Sequence, residues 1–132
     1  MRPTQILIVD SDPTAAFVTQ HGLQRLLKRA AKIEIAASAG EARARCLHEP
    51  IDLLIIDPAS VIGTAAELVS ELHSRRPDLP VLVLTAYDTP RLRNRMRALG
   101  VEHYLAKPVE LQDLSDSVRV VIAHGGHAAP RV

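Results

Sequence analysis

The sequence predicts a doubly wound α/β domain, a (βα)5 unit built on a five-stranded parallel sheet. Three observations carry that prediction. Short apolar runs recur along the chain, and three of them are apolar throughout and rich in Ile, Val and Leu, as strands buried on both faces are. Longer segments with helical spacing lie between them, so strand and helix alternate five times. Right-handed crossovers then place the helices on both faces of a parallel sheet.

The first run is Ile6-Leu7-Ile8-Val9. It enters Asp10-Ser11-Asp12-Pro13-Thr14, and a helix is expected from Pro13 to Arg29, with Ala16, Leu23, Leu26 and Leu27 on its apolar side. Proline at its start costs nothing, because that N–H has no partner within the helix. The second run, Ile33-Glu34-Ile35-Ala36, leads into a short Ala-rich helix from Gly40 to His48. The third, Leu53-Leu54-Ile55-Ile56, precedes a helix from Thr64 to Arg75 with Leu68, Val69 and Leu72 at helical spacing, ended by Pro77. The fourth, Val81-Leu82-Val83-Leu84, precedes a helix from Thr89 to Leu99, for which Gly100 is the expected C-cap. The fifth, Val101 to Leu105, precedes a helix from Glu110 to His124 carrying Leu111, Leu114, Val118, Val121 and Ile122. This places one domain over 1–124, with 125–132 as a flexible tail or the start of a linker.

Composition narrows the function classes. A chain of 132 residues that is 47% hydrophobic suits one packed core. Lys and Arg total 16 against 15 Asp and Glu, for a net charge of +1, which is no nucleic-acid footprint. There is no Trp, and one Phe and two Tyr make no platform for stacking bases. Direct nucleic-acid binding is not expected. The single Cys46 excludes an internal disulfide and reads as a small buried apolar residue rather than a nucleophile. His124 and His127 read as coil rather than a metal site. With no signal peptide and no long apolar run, the chain reads as soluble and cytoplasmic, without membrane contact.

In an open parallel sheet, ligands bind at the C-terminal ends of the strands. The first strand ends in Asp10-Ser11-Asp12, the third in Asp57, the fourth in Thr85-Ala86, and the fifth is followed by Lys107-Pro108. Carboxylates suit a hard divalent cation such as Mg²⁺. A hydroxyl and an ammonium suit the oxygens of a phosphoryl group, and an Asp can itself accept one. Each residue alone has a plainer role: Asp12 as a helix N-cap, Thr85 as a turn residue, Lys107 as a surface charge. Their convergence on one sheet edge is what points to chemistry.

These residues resemble the receiver domain of bacterial two-component response regulators, a flavodoxin-like fold, over roughly residues 4 to 124. The resemblance implies Asp57 as phosphoacceptor, with Thr85 and Lys107 contacting the phosphoryl group. It implies a Mg²⁺ pocket of Asp10, Asp57 and the Ala59 carbonyl, with Asp12 able to lean in. It implies Thr85 and Tyr104 as the switch pair: Thr85 shifts towards the phosphoryl group and opens space into which Tyr104 turns. The implied donor is a sensor histidine kinase or phosphotransfer protein. Such a domain is not an enzyme in the ordinary sense, though a competent one catalyses its own phosphorylation and dephosphorylation.

The sequence departs from the family in two places. The family has a second acid, a direct Mg²⁺ ligand, where Ser11 stands, and a hydroxyl is a much weaker ligand. Pro58 follows the acceptor directly and lacks an N–H, and with Gly63 where it is the loop reads as about two residues short. These departures raise a second reading, a pseudo-receiver that binds partners independently of phosphorylation. A third is a haloacid-dehalogenase-like phosphatase, whose first motif Asp10-Ser11-Asp12-Pro13-Thr14 satisfies. There Asp10 would be the nucleophile and Asp12 the general acid, with Thr85 and Lys107 as later motifs. That family needs a further acidic pair at a strand end after the lysine, and here Glu110, Asp113 and Asp116 fall within a helix.

The fourth helix carries Arg91, Arg93, Arg95 and Arg97, and Arg91/Arg95 and Arg93/Arg97 form like-charge pairs that cost stability. Glu110, Asp113 and Asp116 lie on the fifth. A symmetric homodimer through the fourth helix, fifth strand and fifth helix would pair them. The alternative is a basic helix whose acids lie beside it in the same chain.

Overall fold

A computed structural model describes residues 2–58 and 62–125. Its elements run β1 (Thr4–Val9), α1 (Pro13–Leu27), β2 (Ala31–Ala36), α2 (Ala39–His48), β3 (Leu53–Ile56), α3 (Ile62–Arg75), β4 (Val81–Thr85), α4 (Pro90–Ala98), β5 (His103–Ala106) and α5 (Leu111–Gly125). All five strands are parallel, in the order β2-β1-β3-β4-β5. The predicted fold class is the observed one.

Alternation along the strands builds two cores. Leu7, Val9, Leu54, Ile56 and Val83 face the cluster formed with α2, α3 and α4. Ile6, Ile8, Leu53, Ile55, Leu82 and Leu84 face the cluster formed with α1 and α5. That is why the runs are apolar throughout rather than alternating. Only β5, at the sheet edge, is half-buried along its whole length. Cys46 is fully buried, and burial pushes its thiol up to about 11, so it is the inert packing residue expected.

Capping sets the helix ends. Asp12 Oδ1 accepts from the N–H groups of Thr14 and Ala15, Ser38 Oγ from Glu41, and Thr89 Oγ1 from Leu92. At the end of α4, the Gly100 N–H donates to Arg97 O and the Val101 N–H to Met96 O, the paired bonds of a Schellman closure. This corrects the fifth strand. Val101 spends its N–H closing α4, and β5 begins at His103 instead of at Val101. The first helix likewise stops at Leu27 rather than Arg29, and a 3₁₀ turn from Lys28 to Ala30 leads into β2.

Gly100 has φ +95°, a region side chains rarely adopt, and a Cβ there would meet the His73 ring at 2.8 Å. Gly100→Ala is therefore expected to destabilise the domain by about 1–3 kcal/mol. Urea unfolding checks this, and an unchanged midpoint would contradict it.

Candidate functional site

The strand order reverses at β1, since β2 lies on one side of it and β3 on the other. In doubly wound sheets this switch point is where a crevice opens beyond the carboxyl ends. The chain places Asp10 and Asp57 there. Val9 pairs with Ile56, and the Asp57 N–H donates to Val9 O at 3.0 Å, carrying the β1–β3 pairing one residue further. The same happens across β4 and β5: Thr85 pairs with Ala106, and the Lys107 N–H donates to Thr85 O at 2.7 Å. Backbone register thus aims all four side chains at one edge.

The side chains converge as that register implies. Lys107 Nζ lies 3.1 Å from Asp10 Oδ2 and 3.3 Å from Asp57 Oδ2. The Asp10 and Asp57 side chains are only 7% and 6% exposed, so both carboxylates sit in a low dielectric, where an uncompensated charge is costly. Asp10 Oδ1 also accepts the Asp12 N–H at 2.9 Å. Burial works against the Lys107 ammonium, but the hydrogen bond to Asp10 and the charges of Asp10 and Asp57 outweigh it and raise its pKa. Thr85 is fully buried, and its Oγ1 accepts from the Tyr87 N–H at 3.0 Å. The peptide bond between Lys107 and Pro108 is cis.

The structure sorts the remaining sequence expectations. Asp12 is exposed and commits Oδ1 to capping α1, the plainer of its two roles. Ser11 is exposed and adds no carboxylate. Pro58 is buried. Ala59, whose carbonyl was expected on the metal, lies outside the described residues, as do 126–132 of the expected tail. Donor chemistry fits a hard cation at Asp10 and Asp57, with one acid fewer than the full acidic set.

Tyr104 is half-buried on β5 and packs on the cluster beneath α2–α4. Its hydroxyl is buried without a hydrogen bond of normal geometry among the described residues. Burial, then the nearby Asp88 carboxylate, pushes its pKa up to about 12. The Arg93 guanidinium lies 4.5 Å from its ring centroid, and Arg93 pairs with Asp88 at 2.7 Å. The guanidinium over its face attracts the ring, weakly because Arg93 is exposed. Sequence reasoning found Tyr104 but not Asp88, and it named Arg93 only as one of four crowded arginines. The signal available was the five-residue spacing from Asp88 to Arg93 across the helix start.

The family model of the response regulator receiver domain matches residues 6–119. The chain belongs to that family. A receiver domain protein, CheY-like, from Methanospirillum hungatei superposes with a TM-score of 0.84 at 27% identity, covering 94% of this chain and 97% of that one. Vibrio cholerae CheY4 gives a TM-score of 0.79 at 26% identity, covering 90% and 98%. Among curated relatives, the response regulator MprA of Mycolicibacterium vanbaalenii is 30% identical over 91% of this chain and 51% of its own length. The response regulator protein PilR of Pseudomonas aeruginosa is 29% identical over 92% of this chain and 27% of its own. The chain thus spans about a quarter to a half of these curated relatives.

The domain is a receiver of two-component response regulators, a family in which phosphorylation of an aspartate is typical. Receivers are signalling modules, and membership sets aside the phosphatase reading with Asp10 as nucleophile. No helix among the described residues is long and apolar enough to cross a membrane.

The folded receiver holds the Lys107 proton more tightly than the unfolded chain does. Its contribution is therefore complete below the unfolded pKa of about 10.4 and lost as pH rises through the higher folded value. Lys107→Met is expected to lower stability by about 1–3 kcal/mol at neutral pH, with the gap to the native chain narrowing above pH about 10.4. Thermal melts across that range measure it, and a gap independent of pH would contradict the assignment.

Proposed function

We propose that this receiver accepts a phosphoryl group on Asp57 from the phosphohistidine of a sensor histidine kinase or phosphotransfer protein. The observation that carries the reading is the buried Asp57 carboxylate held 3.3 Å from Lys107 Nζ at the switch point of the sheet. A P–N bond breaks at the donor histidine, and a P–O bond forms at a carboxylate oxygen of Asp57. Lys107 is placed to meet the new phosphoryl oxygens with its ammonium. Thr85 gives up its place at the β4 end to bring its hydroxyl to them, and Tyr104 is the aromatic that answers on β5. Asp10 and Asp57, with the Ala59 carbonyl as a further donor, would hold Mg²⁺, which supplies charge neutralisation to the transfer; Asp12, whose Oδ1 caps α1, would have only its other oxygen to lend. We assign the receiver to the chain through Gly125, where α5 ends one residue later than expected, with 126–132 as tail or linker, and place it in the cytoplasm, where such a donor would meet it.

A second reading, the phosphorylation-independent interaction module, is favoured by one observation: Ser11 offers an exposed hydroxyl where the acidic set would have a carboxylate. The output face in either reading is α4, β5 and α5. Among the described residues Arg91, Arg95 and Arg97 form no ion pair, and Asp116 accepts from Gln112 Nε2 at 3.0 Å and lies 3.9 Å from Arg119, both on its own helix. The α5 acids therefore do not neutralise α4 within the chain, which supports a symmetric dimer in which each helix meets its opposite.

Incubation with acetyl phosphate and Mg²⁺ is expected to add one alkali-labile phosphoryl group, read by intact mass, that Asp57→Asn abolishes. Addition that survives Asp57→Asn would overturn the assignment. In calorimetry, Ser11→Asp is expected to tighten Mg²⁺ binding on the order of tenfold. Native binding that is already tight and unmoved by the substitution would remove the claim that Ser11 weakens the pocket. Sedimentation with beryllofluoride, a phosphoryl mimic, is expected to show a dimer that is lost in Arg95→Glu; a monomer at every concentration would exclude it.

A further inference from the structure

Tyr104 stands where a strand, a helix and a loop meet. The Arg93 guanidinium of α4 covers its ring at 4.5 Å. Arg93 Nη2 is held 2.7 Å from Asp88 Oδ2, and Asp88 belongs to the loop between β4 and α4. That loop is tied to the phosphoryl site, because the Tyr87 N–H donates to Thr85 Oγ1 at 3.0 Å. One continuous set of contacts therefore runs from Thr85 through the loop to Arg93 and onto the aromatic ring.

We propose that Arg93, anchored by Asp88, is the positioning residue that holds Tyr104 in its inward place and couples it to the Thr85 loop. The ring needs such a hold. Its hydroxyl is buried near the Asp88 carboxylate but with no hydrogen bond of normal geometry among the described residues, whereas an outward turn would hydrate it. Core packing favours the inward place but is non-directional and senses nothing at Thr85. The Arg93 stack is directional, and its anchor sits on the loop that moves if Thr85 moves. Among the four arginines of α4, Arg93 alone combines an ion pair with a ring contact among the described residues. Movement of Thr85 would shift Tyr87 and Asp88 and so change how firmly Arg93 covers the ring. The functional weight of this latch rests on Tyr104 acting as the switch.

The test is NMR of protein carrying ¹³C-labelled tyrosine, where two ring signals are expected. Arg93 and Asp88 are both exposed, so the variants are expected to fold, and amide spectra confirm it. In Arg93→Ala, the Tyr104 titration midpoint should fall from about 12 towards the ordinary value of about 10, and a soluble paramagnetic probe should reach the ring. If Arg93 were a bystander, the ring would stay buried. Losing a nearby positive charge would then leave the midpoint at about 12 or higher, which overturns the proposal. Asp88→Asn is read by probe access, because it also removes a carboxylate that raises the midpoint; a ring that stays shielded in both variants overturns the proposal as well. Adding beryllofluoride and Mg²⁺ separates the latch from the switch. A ring released by Arg93→Ala but indifferent to beryllofluoride in the native chain upholds the latch and removes the switch reading.

Discussion

Two carboxylates buried at one sheet edge, with a single ammonium between them, constrain the rest of this domain. Asp10 and Asp57 have given up nearly all of their water, and Lys107 is the cation that bridges them. Coulomb attraction in such a place is strong only if geometry is good, and here geometry is delivered by backbone. The β1–β3 ladder continues through Asp57 N–H to Val9 O, and the β4–β5 ladder through Lys107 N–H to Thr85 O. Two carboxylates against one ammonium leave the pocket net negative, which suits a divalent cation. The same lysine stands where new phosphoryl oxygens would arrive. A charge arrangement tolerable at rest is thus poised to change when Asp57 changes.

Short contacts join the pocket to the surface alongside the packed core. Thr85 is fully buried and touches the following loop by a hydrogen bond, and that loop holds Arg93 over Tyr104. Both hydrophobic clusters are close-packed and offer few alternative arrangements. The loop and the β5 edge are the parts with room to move, since β5 is half-buried along its length. Ser11 bears on a different step. In the proposed reading it leaves the acidic set one carboxylate short, without touching the contacts that run from Thr85 to Tyr104. A pocket with two buried carboxylates, joined to the surface by such contacts, is compatible with either reading of its signalling.

Much of this was readable in the sequence because the signals are local. Apolar runs marked all five strands; the residue after the first and third runs was Asp10 and Asp57, and Lys107 came two residues after the fifth. Asp12 was open between N-cap and metal pocket; capping takes its Oδ1, which geometry alone decides. The start of β5 was misread because Val101 looks like a strand residue and only the Schellman bond to Met96 reveals it as a helix closure. The bridge from Lys107 to Asp10 spans 97 residues, so its existence was inferable but its bonding was not. Asp88 was missed because an acid just ahead of a helix start has a sufficient local role, and nothing in the spacing announces an aromatic from β5 beside it.

The most direct test of the central claim is an amide NMR spectrum of the domain recorded with Mg²⁺ and then with beryllofluoride. The account predicts shifts at Asp10, Asp57, Thr85 and Lys107 that spread to Tyr104 and α4. A spectrum silent at those residues at saturating Mg²⁺ and beryllofluoride would contradict a phosphoryl-accepting pocket at Asp57.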